Sequence, residues 1–180
     1  MPKRIAFLGP AGTFTEEAAL HYATTADFQA FPSIPAVAQA VQTGSVQEGV
    51  VPIENSLEGS VTDTLDILIN ERIFIRRELV LPIEHCLLIQ PDVKASDIKI
   101  IYSHPQALAQ CRRFLEKCFP TADLIASFST AAAVYDAKES SSTAAAIAPK
   151  RASQLYDVEV FAEGIQDNSA NATRFVVLAD

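Results

Sequence analysis

The sequence predicts an α/β protein with mainly parallel sheets, divided into two lobes around a cleft. First, apolar β-rich segments alternate with helical segments along the whole chain, which is typical of parallel strands covered by helices. Second, these segments form two apolar blocks. Third, one more strand follows the second block, and we expect it to pair back into the first sheet. The predicted lobes are residues 1–80 with 164–180, and residues 81–163.

Strands are predicted where β-branched and aromatic apolar residues run together. In chain order these segments are residues 4–8, 28–31, 49–56, 73–82, 85–89, 100–102, 124–128, 144–148, 158–161 and 173–178. The length of the segment 73–82 suggests that this strand passes from one sheet to another.

Helices are predicted where a capping residue precedes a helical apolar pattern. The predicted helices cover residues 13–23, 33–43, 62–70, 103–119, 129–139 and 149–155, and Ser140–Ser142 is a short solvated break. The expected caps are Thr13 with Glu16, Ser33, Ser60 with Asp63, Ser103 with Gln106, and Ser129–Thr130. In the helix 62–70 we expect Leu65, Leu68 and Ile69 to face the core.

The composition is that of a globular domain without a general affinity for anions. Its 180 residues are 49% hydrophobic and 20% charged, and 14 basic against 22 acidic residues give a net charge of −8. Nucleic acid is therefore a poor partner, and any anion site must be local. The spacing of the glycines in residues 9–12 fits neither a dinucleotide fingerprint nor a P-loop, so we do not expect nucleotide binding.

The cysteines predict free thiols in a reducing compartment. Three cysteines without a C-x-x-C spacing favour neither a disulfide framework nor a zinc site, and we expect no metal or cofactor. The sequence opens on a strand instead of a signal peptide, and no apolar run approaches membrane-spanning length. We therefore expect a cytoplasmic protein that does not bind membranes.

Polar side chains follow several predicted strands, at the positions where ligands bind in open α/β folds. These residues are Thr13, Asn55, Ser56, Ser103 and Thr130, and the spacing of Gln106 and Gln110 places both amides on one helix face. Thr173 and Arg174 lie where a polar loop meets the last strand. They suit either an anionic ligand or an ordinary strand start with an exposed arginine.

Four motifs closely resemble those of the prephenate dehydratase family. They are G-P-A-G-T-F-T-E at 9–16, P-I-E-N-S-L-E-G-S-V at 52–61, S-H-P-Q-A-L-A-Q-C at 103–111, and D-N at 167–168 with T-R-F at 173–175. The resemblance implies a fold like that of type II periplasmic binding proteins, with the site in the cleft. It also implies that prephenate loses carbon dioxide and its ring hydroxyl to give phenylpyruvate, in L-phenylalanine biosynthesis.

The resemblance assigns the catalytic role to Thr173, which would hydrogen-bond the leaving oxygen; the proton source stays open. Glu54 is a candidate acid only if it is buried. Arg174 suits either the pyruvyl carboxylate of the substrate or an ion pair with Asp167. The remaining predicted substrate-binding residues are Thr13, Asn55, Ser56, Ser103, Gln106 and Gln110.

Several alternatives stay open at this point. Ser103 and Thr13 would be ordinary helix caps if the resemblance carried no function, and His85 is predicted to be a core or interface residue. Arogenate dehydratase is a second activity that the motifs do not separate from the first, and a small-molecule-binding module is an alternative of a different class. The resemblance also implies a homodimer. Many members of the family continue into a regulatory ACT domain, and we expect none in this chain.

Overall fold

A computed structural model of the chain describes residues 2–140 and 143–180, which form two compact units. Unit 1 comprises the chain up to Pro10, Phe14–Ile83 and Ala170–Asp180. Unit 2 comprises Ala11–Thr13 and Glu84–Ser169. Each unit is built around its own sheet.

Unit 1 is a sheet with helices on both faces. Its elements are β1 (Arg4–Leu8), α1 (Phe14–Tyr22), β2 (Asp27–Phe31), α2 (Ile34–Gln42), β3 (Glu48–Asn55), β4 (Gly59–Ser60), α3 (Thr62–Asn70), β5 (Phe74–Pro82) and β11 (Ala172–Ala179). The strand order is β2-β1-β3-β11-β5, and β4 pairs with β3. One apolar core lies beneath α2 and α3 and a second beneath α1. Gly49 allows the close approach of β3 to α2, because a Cβ there would lie 2.5 Å from Val37 Cγ1.

Unit 2 repeats this layered arrangement. Its elements are β6 (Cys86–Ile89), a 3₁₀ turn (Ala95–Asp97), β7 (Ile100–Ser103), α4 (Pro105–Gln110), α5 (Arg112–Cys118), β8 (Asp123–Ala126), α6 (Thr130–Ser140), β9 (Ala144–Ala148), α7 (Lys150–Tyr156) and β10 (Glu159–Ala162). The strand order is β10-β6-β9-β7-β8. The central strands β6 and β9 are buried along their whole length, which explains their uninterrupted apolar sequences.

Each sheet combines parallel and antiparallel strands. β1 is parallel to β2 and β3, and β7 is parallel to β8 and β9, because helices join these strands. β11 is antiparallel to β3 and β5, and β6 is antiparallel to β9 and β10. The predicted α/β class is confirmed, but the sheets are mixed and not mainly parallel as predicted, because four strand pairs of the described residues are parallel and five are antiparallel.

The predictions for α3 contain two errors. Ser60 lies in β4 and Val61 precedes the helix without a side-chain cap, so Ser60 and Asp63 do not form the predicted cap pair. Ile69 and Leu65 are 78% and 37% exposed, whereas Thr64 and Ile67 are buried. The hydroxyl of Thr64 donates to Pro52 O at 2.6 Å, so a polar residue occupies an inward position that an apolar pattern cannot reveal.

Two longer segments also differ from their predictions. β5 lies wholly in the sheet of unit 1, paired with β11, and does not pass from one sheet to another. The helix predicted over 103–119 is divided at Cys111, whose N–H donates to both Ala107 O and Leu108 O. By contrast, the cap predicted at Ser33 is confirmed, because its hydroxyl accepts from Ala36 N, and Ser129 caps α6 through Ala132 N.

Two remaining predictions concern the end of α6 and the membrane. α6 continues to Ser140, and the rest of the predicted break, Ser141 and Ser142, lies outside the described residues. Among the helices of the described ranges, none has the length and hydropathy needed to cross a bilayer.

Candidate active site

A hydrogen-bonded group of side chains joins the ends of β3 and β11 in unit 1. The register of the sheet places Thr173 opposite Asn55. Asn55 Nδ2 donates to Thr173 Oγ1 at 2.8 Å and to Asn171 Oδ1 at 2.9 Å. Ser56 Oγ donates to Asn171 Oδ1 at 3.2 Å and accepts from Ala172 N at 3.0 Å. The structure therefore brings together three of the predicted site residues, namely Asn55, Ser56 and Thr173.

The backbone that follows β3 determines which end of the Asn55 amide faces Thr173. Asn55 Oδ1 accepts from Leu57 N at 2.9 Å and Glu58 N at 3.2 Å. Since a backbone N–H can only donate, the oxygen of the amide must point toward this turn. The NH₂ group consequently points toward Thr173 and Asn171.

This arrangement makes the hydroxyl of Thr173 a directed donor. Its oxygen accepts from Asn55, so the hydroxyl hydrogen must point elsewhere. Thr173 and Asn171 are both buried, which restricts competition from water. The strand β11 thus holds the hydroxyl of Thr173 with its hydrogen directed away from Asn55.

Glu54 and Arg174 form an ion pair next to this group. Arg174 Nη2 lies 2.5 Å from Glu54 Oε2, and Arg174 Nε lies 3.7 Å from Glu78 Oε1. These contacts make Glu54 and Glu78 the observed carboxylate partners of Arg174, and the carboxylate of Asp167, the alternative drawn from the sequence, accepts from Arg113 N at 3.1 Å. The Glu54 side chain is 45% exposed, so the condition of burial set for a catalytic acid is not met.

Ser103 is the last residue of β7 and not the predicted helix cap. It is fully buried, and its hydroxyl donates to Ile147 O on β9 at 2.7 Å. The cap of α4 is His104, whose Nδ1 accepts from Gln106 N at 3.3 Å. The prediction placed the start of the helix one residue too early, because Ser is a commoner N-cap than His. Gln106 therefore does not occupy the capping-box position.

Gln110 is the last residue of α4 and contacts a buried histidine. His85 Nε2 lies 2.9 Å from Gln110 Oε1. Burial lowers the pKa of His85 from its ordinary value, and the hydrogen bond with Gln110 opposes part of this change. Gln106 and Gln110 both lie on α4 and are partly exposed, as their spacing indicates.

Thr13 belongs to the short segment of residues 11–13 that is part of unit 2. This segment is held by Tyr156, whose hydroxyl donates to Ala11 O at 2.8 Å. Gly12 has φ +85°, and a Cβ there would lie 3.0 Å from the Tyr156 ring. The capping box of Thr13 with Glu16 stays a prediction.

The predicted site residues therefore fall into two sets. Asn55, Ser56, Thr173 and the ion pair of Glu54 with Arg174 lie in unit 1, whereas Thr13, Ser103, Gln106 and Gln110 lie in unit 2. Sequence reasoning missed two residues of these networks. Asn171 is visible in the sequence only as a turn-favouring residue, and His85 carries no signal of its contact with Gln110.

The cysteines do not form a nucleophilic or metal-binding site among the residues that the structure describes. Their thiols are free, and Cys86 and Cys111 are buried. Burial raises the pKa of Cys86 to about 11 and that of Cys111 to about 12. The described ranges contain no cluster of three or more His, Cys, Asp or Glu side chains able to hold a metal.

Comparison with known proteins identifies similar sequences over almost the whole chain. The family model of prephenate dehydratase matches residues 5–180. The chain is 42% identical to a bifunctional chorismate mutase/prephenate dehydratase of Stutzerimonas stutzeri, over 98% of this chain and 48% of that protein. It is 38% identical to arogenate dehydratase 5 (chloroplastic) of Arabidopsis thaliana, over 98% of this chain and 42% of that protein. The chain thus spans about half the length of these relatives.

Solved structures share the fold. A prephenate dehydratase from Arthrobacter aurescens, in complex with L-Phe, has a TM-score of 0.90 and 38% identity over 98% of this chain and 60% of its own. GqqA, described as a novel type of quorum quenching acylase, has a TM-score of 0.89 and 28% identity over 98% and 64%. A periplasmic substrate-binding protein of an ABC transporter from Coxiella burnetii has a TM-score of 0.50 and 12% identity over 98% and 84%, which confirms the predicted type of fold.

Proposed function

This chain belongs to the prephenate dehydratase family, and on that premise we propose that it converts prephenate to phenylpyruvate in L-phenylalanine biosynthesis. The observation that carries the proposal is the hydrogen bond from Asn55 Nδ2 to Thr173 Oγ1 at 2.8 Å. It directs the hydrogen of a buried hydroxyl away from Asn55, toward the position proposed for the leaving oxygen of the substrate.

The part of the reaction that most needs catalysis is the departure of the ring hydroxyl oxygen. As the ring carboxylate leaves as carbon dioxide, the electron pair of the broken C–C bond enters the ring, and the bond to the ring hydroxyl breaks. Hydroxide leaves and takes up one proton to become water. Aromatisation drives these steps, so the enzyme must mainly stabilise the charge that develops on the departing oxygen. Thr173 is the proposed donor to that oxygen, and the source of the proton stays open.

The other side chains of unit 1 support this donor in the proposal. Asn55 orients Thr173, and Ser56 with Asn171 holds Asn55. Arg174 is assigned to Glu54 and Glu78, because two carboxylates within 4 Å offset most of its charge. We therefore propose that Arg174 fixes Glu54 in place and leaves recognition of the substrate carboxylates to other donors.

In unit 2 we propose Gln106 and Gln110 as neutral donors to the substrate. A neutral amide suits this task, since an ion pair with the departing carboxylate would stabilise the ground state more than the transition state. Ser103 has a supporting role, because its hydroxyl hydrogen is directed to Ile147 O. Thr13 is kept as a further substrate-binding residue.

The direct test mixes the purified chain with prephenate and follows the absorbance of phenylpyruvate. Thr173→Val keeps the shape of the side chain and removes the hydroxyl, so it is the matched control. Product formation by the wild type and not by Thr173→Val supports the proposal. Tight binding of prephenate without any product would instead favour a binding module of the same fold.

Arogenate is a second candidate substrate, because one relative at 38% identity is named an arogenate dehydratase. The two substrates differ by an amino group in place of a keto group. Parallel assays at equal concentrations, with phenylalanine measured for arogenate and phenylpyruvate for prephenate, give the ratio of kcat/KM that decides between them.

We also propose that the chain acts in the cytoplasm and as a homodimer. Cys86 and Cys111 are buried and carry free thiols, which fits a reducing compartment. The outermost strand β5 exposes Phe74 and Val80, which fits a surface that another chain covers. Sedimentation equilibrium of the wild type and of Val80→Lys measures the oligomeric state; a wild-type monomer would contradict the proposal.

A further inference from the structure

A buried histidine in unit 2 makes a specific contact with a side chain that we propose to bind the substrate. His85 precedes β6 and is 3% exposed, and its Nε2 lies 2.9 Å from Gln110 Oε1. In the structure the amide oxygen of Gln110 faces the ring, and since such an oxygen can only accept, this placement requires the imidazole proton on Nε2. The NH₂ group of Gln110 then lies on the other side of the amide.

We infer that His85 is a positioning residue that holds Gln110 so that its amide acts as a hydrogen-bond donor to the substrate. The inference rests on the proposed function, and it assigns to His85 a role that the sequence did not indicate. The substitution of His85 would remove the donor that faces Gln110 Oε1.

Hydrogen bonds also hold the backbone of His85 and of Gln110. Asp167 N donates to Gln110 O at 2.7 Å, and the helix is interrupted at the next residue, Cys111. His85 N donates to Gln166 Oε1 at 2.9 Å, and Ile165 N donates to His85 O at 3.1 Å. Residues 165–167 therefore hold the backbones of His85 and Gln110 in one arrangement, which keeps the side-chain bond in register.

The charge state of His85 is consistent with a hydrogen bond from its Nε2 to Gln110 Oε1. Burial lowers the pKa of His85, so the imidazole stays neutral near pH 7 and adds no charge beside the amide. A neutral imidazole carries one proton, and the contact with Gln110 Oε1 selects Nε2 as its position.

A double-mutant cycle tests this role with prephenate as the substrate. His85→Leu removes the donor, and we expect KM to rise about five- to tenfold with kcat nearly unchanged, which corresponds to one lost neutral hydrogen bond. In a Gln110→Leu background, His85→Leu should have no further effect on KM. His85→Gln supplies an N–H at a similar position and should restore most of the affinity. His21→Leu, on the exposed face of α1, is the matched control.

Equal effects of His85→Leu in the presence and absence of Gln110 would overturn the inference, since His85 would then act on the fold alone. If His85→Leu does not fold, ¹⁵N NMR of the imidazole in the wild-type chain decides instead. The chain has three histidines, which keeps assignment simple. A protonated Nε2 that changes its shift in Gln110→Leu supports the inference, and protonation at Nδ1 overturns it. The proposed function fails separately, if the wild type forms no phenylpyruvate.

Discussion

The substitution Asn55→Asp tests whether the direction of the Thr173 hydroxyl decides turnover. It keeps the size of the side chain and the oxygen that accepts from Leu57 N and Glu58 N. It replaces the NH₂ group, which donates to Thr173 Oγ1 at 2.8 Å, by a carboxylate oxygen. The hydroxyl of Thr173 would then donate to the introduced carboxylate, and its hydrogen would no longer point toward the substrate.

The structure allows the size of both effects to be worked out. Loss of one donor to a developing oxyanion costs about 2.7–4 kcal/mol, so kcat should fall about 100- to 1,000-fold while KM changes little. Asn171 Oδ1, which is buried, also loses Asn55 Nδ2 as a donor and faces a carboxylate, although Ser56 Oγ still donates to it. This lowers the free energy of unfolding by about 1–3 kcal/mol, and by less where the Asn171 amide turns over.

The assay measures kcat and KM with prephenate, together with urea unfolding of the same preparations. Asn70→Asp is the matched control, because Asn70 is exposed and lies at the end of α3, where its amide donates to Asp66 O. We expect the control to have the kcat and KM of the wild type, since it changes only an exposed residue outside the hydrogen-bonded group of Asn55 and Thr173. Asn55→Asp with a kcat within about threefold of the wild type would refute the idea that Asn55 directs Thr173.

Three further outcomes are expected. Thr173→Val should lower kcat by orders of magnitude without unfolding the chain, as circular dichroism would check; near-normal turnover would remove Thr173 from the mechanism. Because the pKa of His85 is lowered below 6.5, the unfolded state binds a proton first as pH falls. The free energy of unfolding should therefore drop below pH 6.5, by at most about 1.4 kcal/mol per pH unit, and His85→Gln should flatten this dependence in urea titrations. A thiol reagent should modify exposed Cys118 in the native chain and spare Cys86 and Cys111, whose pKa values are about 11 and 12; mass spectrometry showing three modified thiols would contradict this.

Local sequence patterns predicted most of the elements because their causes are local. The cap at Ser33 and the apolar strand β9 depend on residues next to them in the chain, and both were confirmed. Errors arose where a distant residue decides the outcome. Ser103 resembles a helix cap, but its hydroxyl donates to Ile147 on another strand, and His104 takes over the cap.

The candidate site shows the same division. The motifs pointed to Asn55, Ser56 and Thr173, and the structure joins these three through hydrogen bonds. No local pattern could show that Asn171 accepts hydrogen bonds from both Asn55 and Ser56, or that Arg174 pairs with Glu54. These contacts depend on the register between β3 and β11, which are separated by more than 100 residues.

By itself, the sequence determined the α/β class, the positions of most strands and the family to which the chain belongs. Each of these depends on which residue types stand at short spacing in the sequence, and that spacing is the same in the unfolded and the folded chain. Only the tertiary structure decided the direction of the hydroxyl of Thr173 and the contact of His85 with Gln110. A hydrogen bond requires a donor and an acceptor within about 3.2 Å at a suitable angle, and for residues far apart in the chain that geometry exists only after the strands have paired.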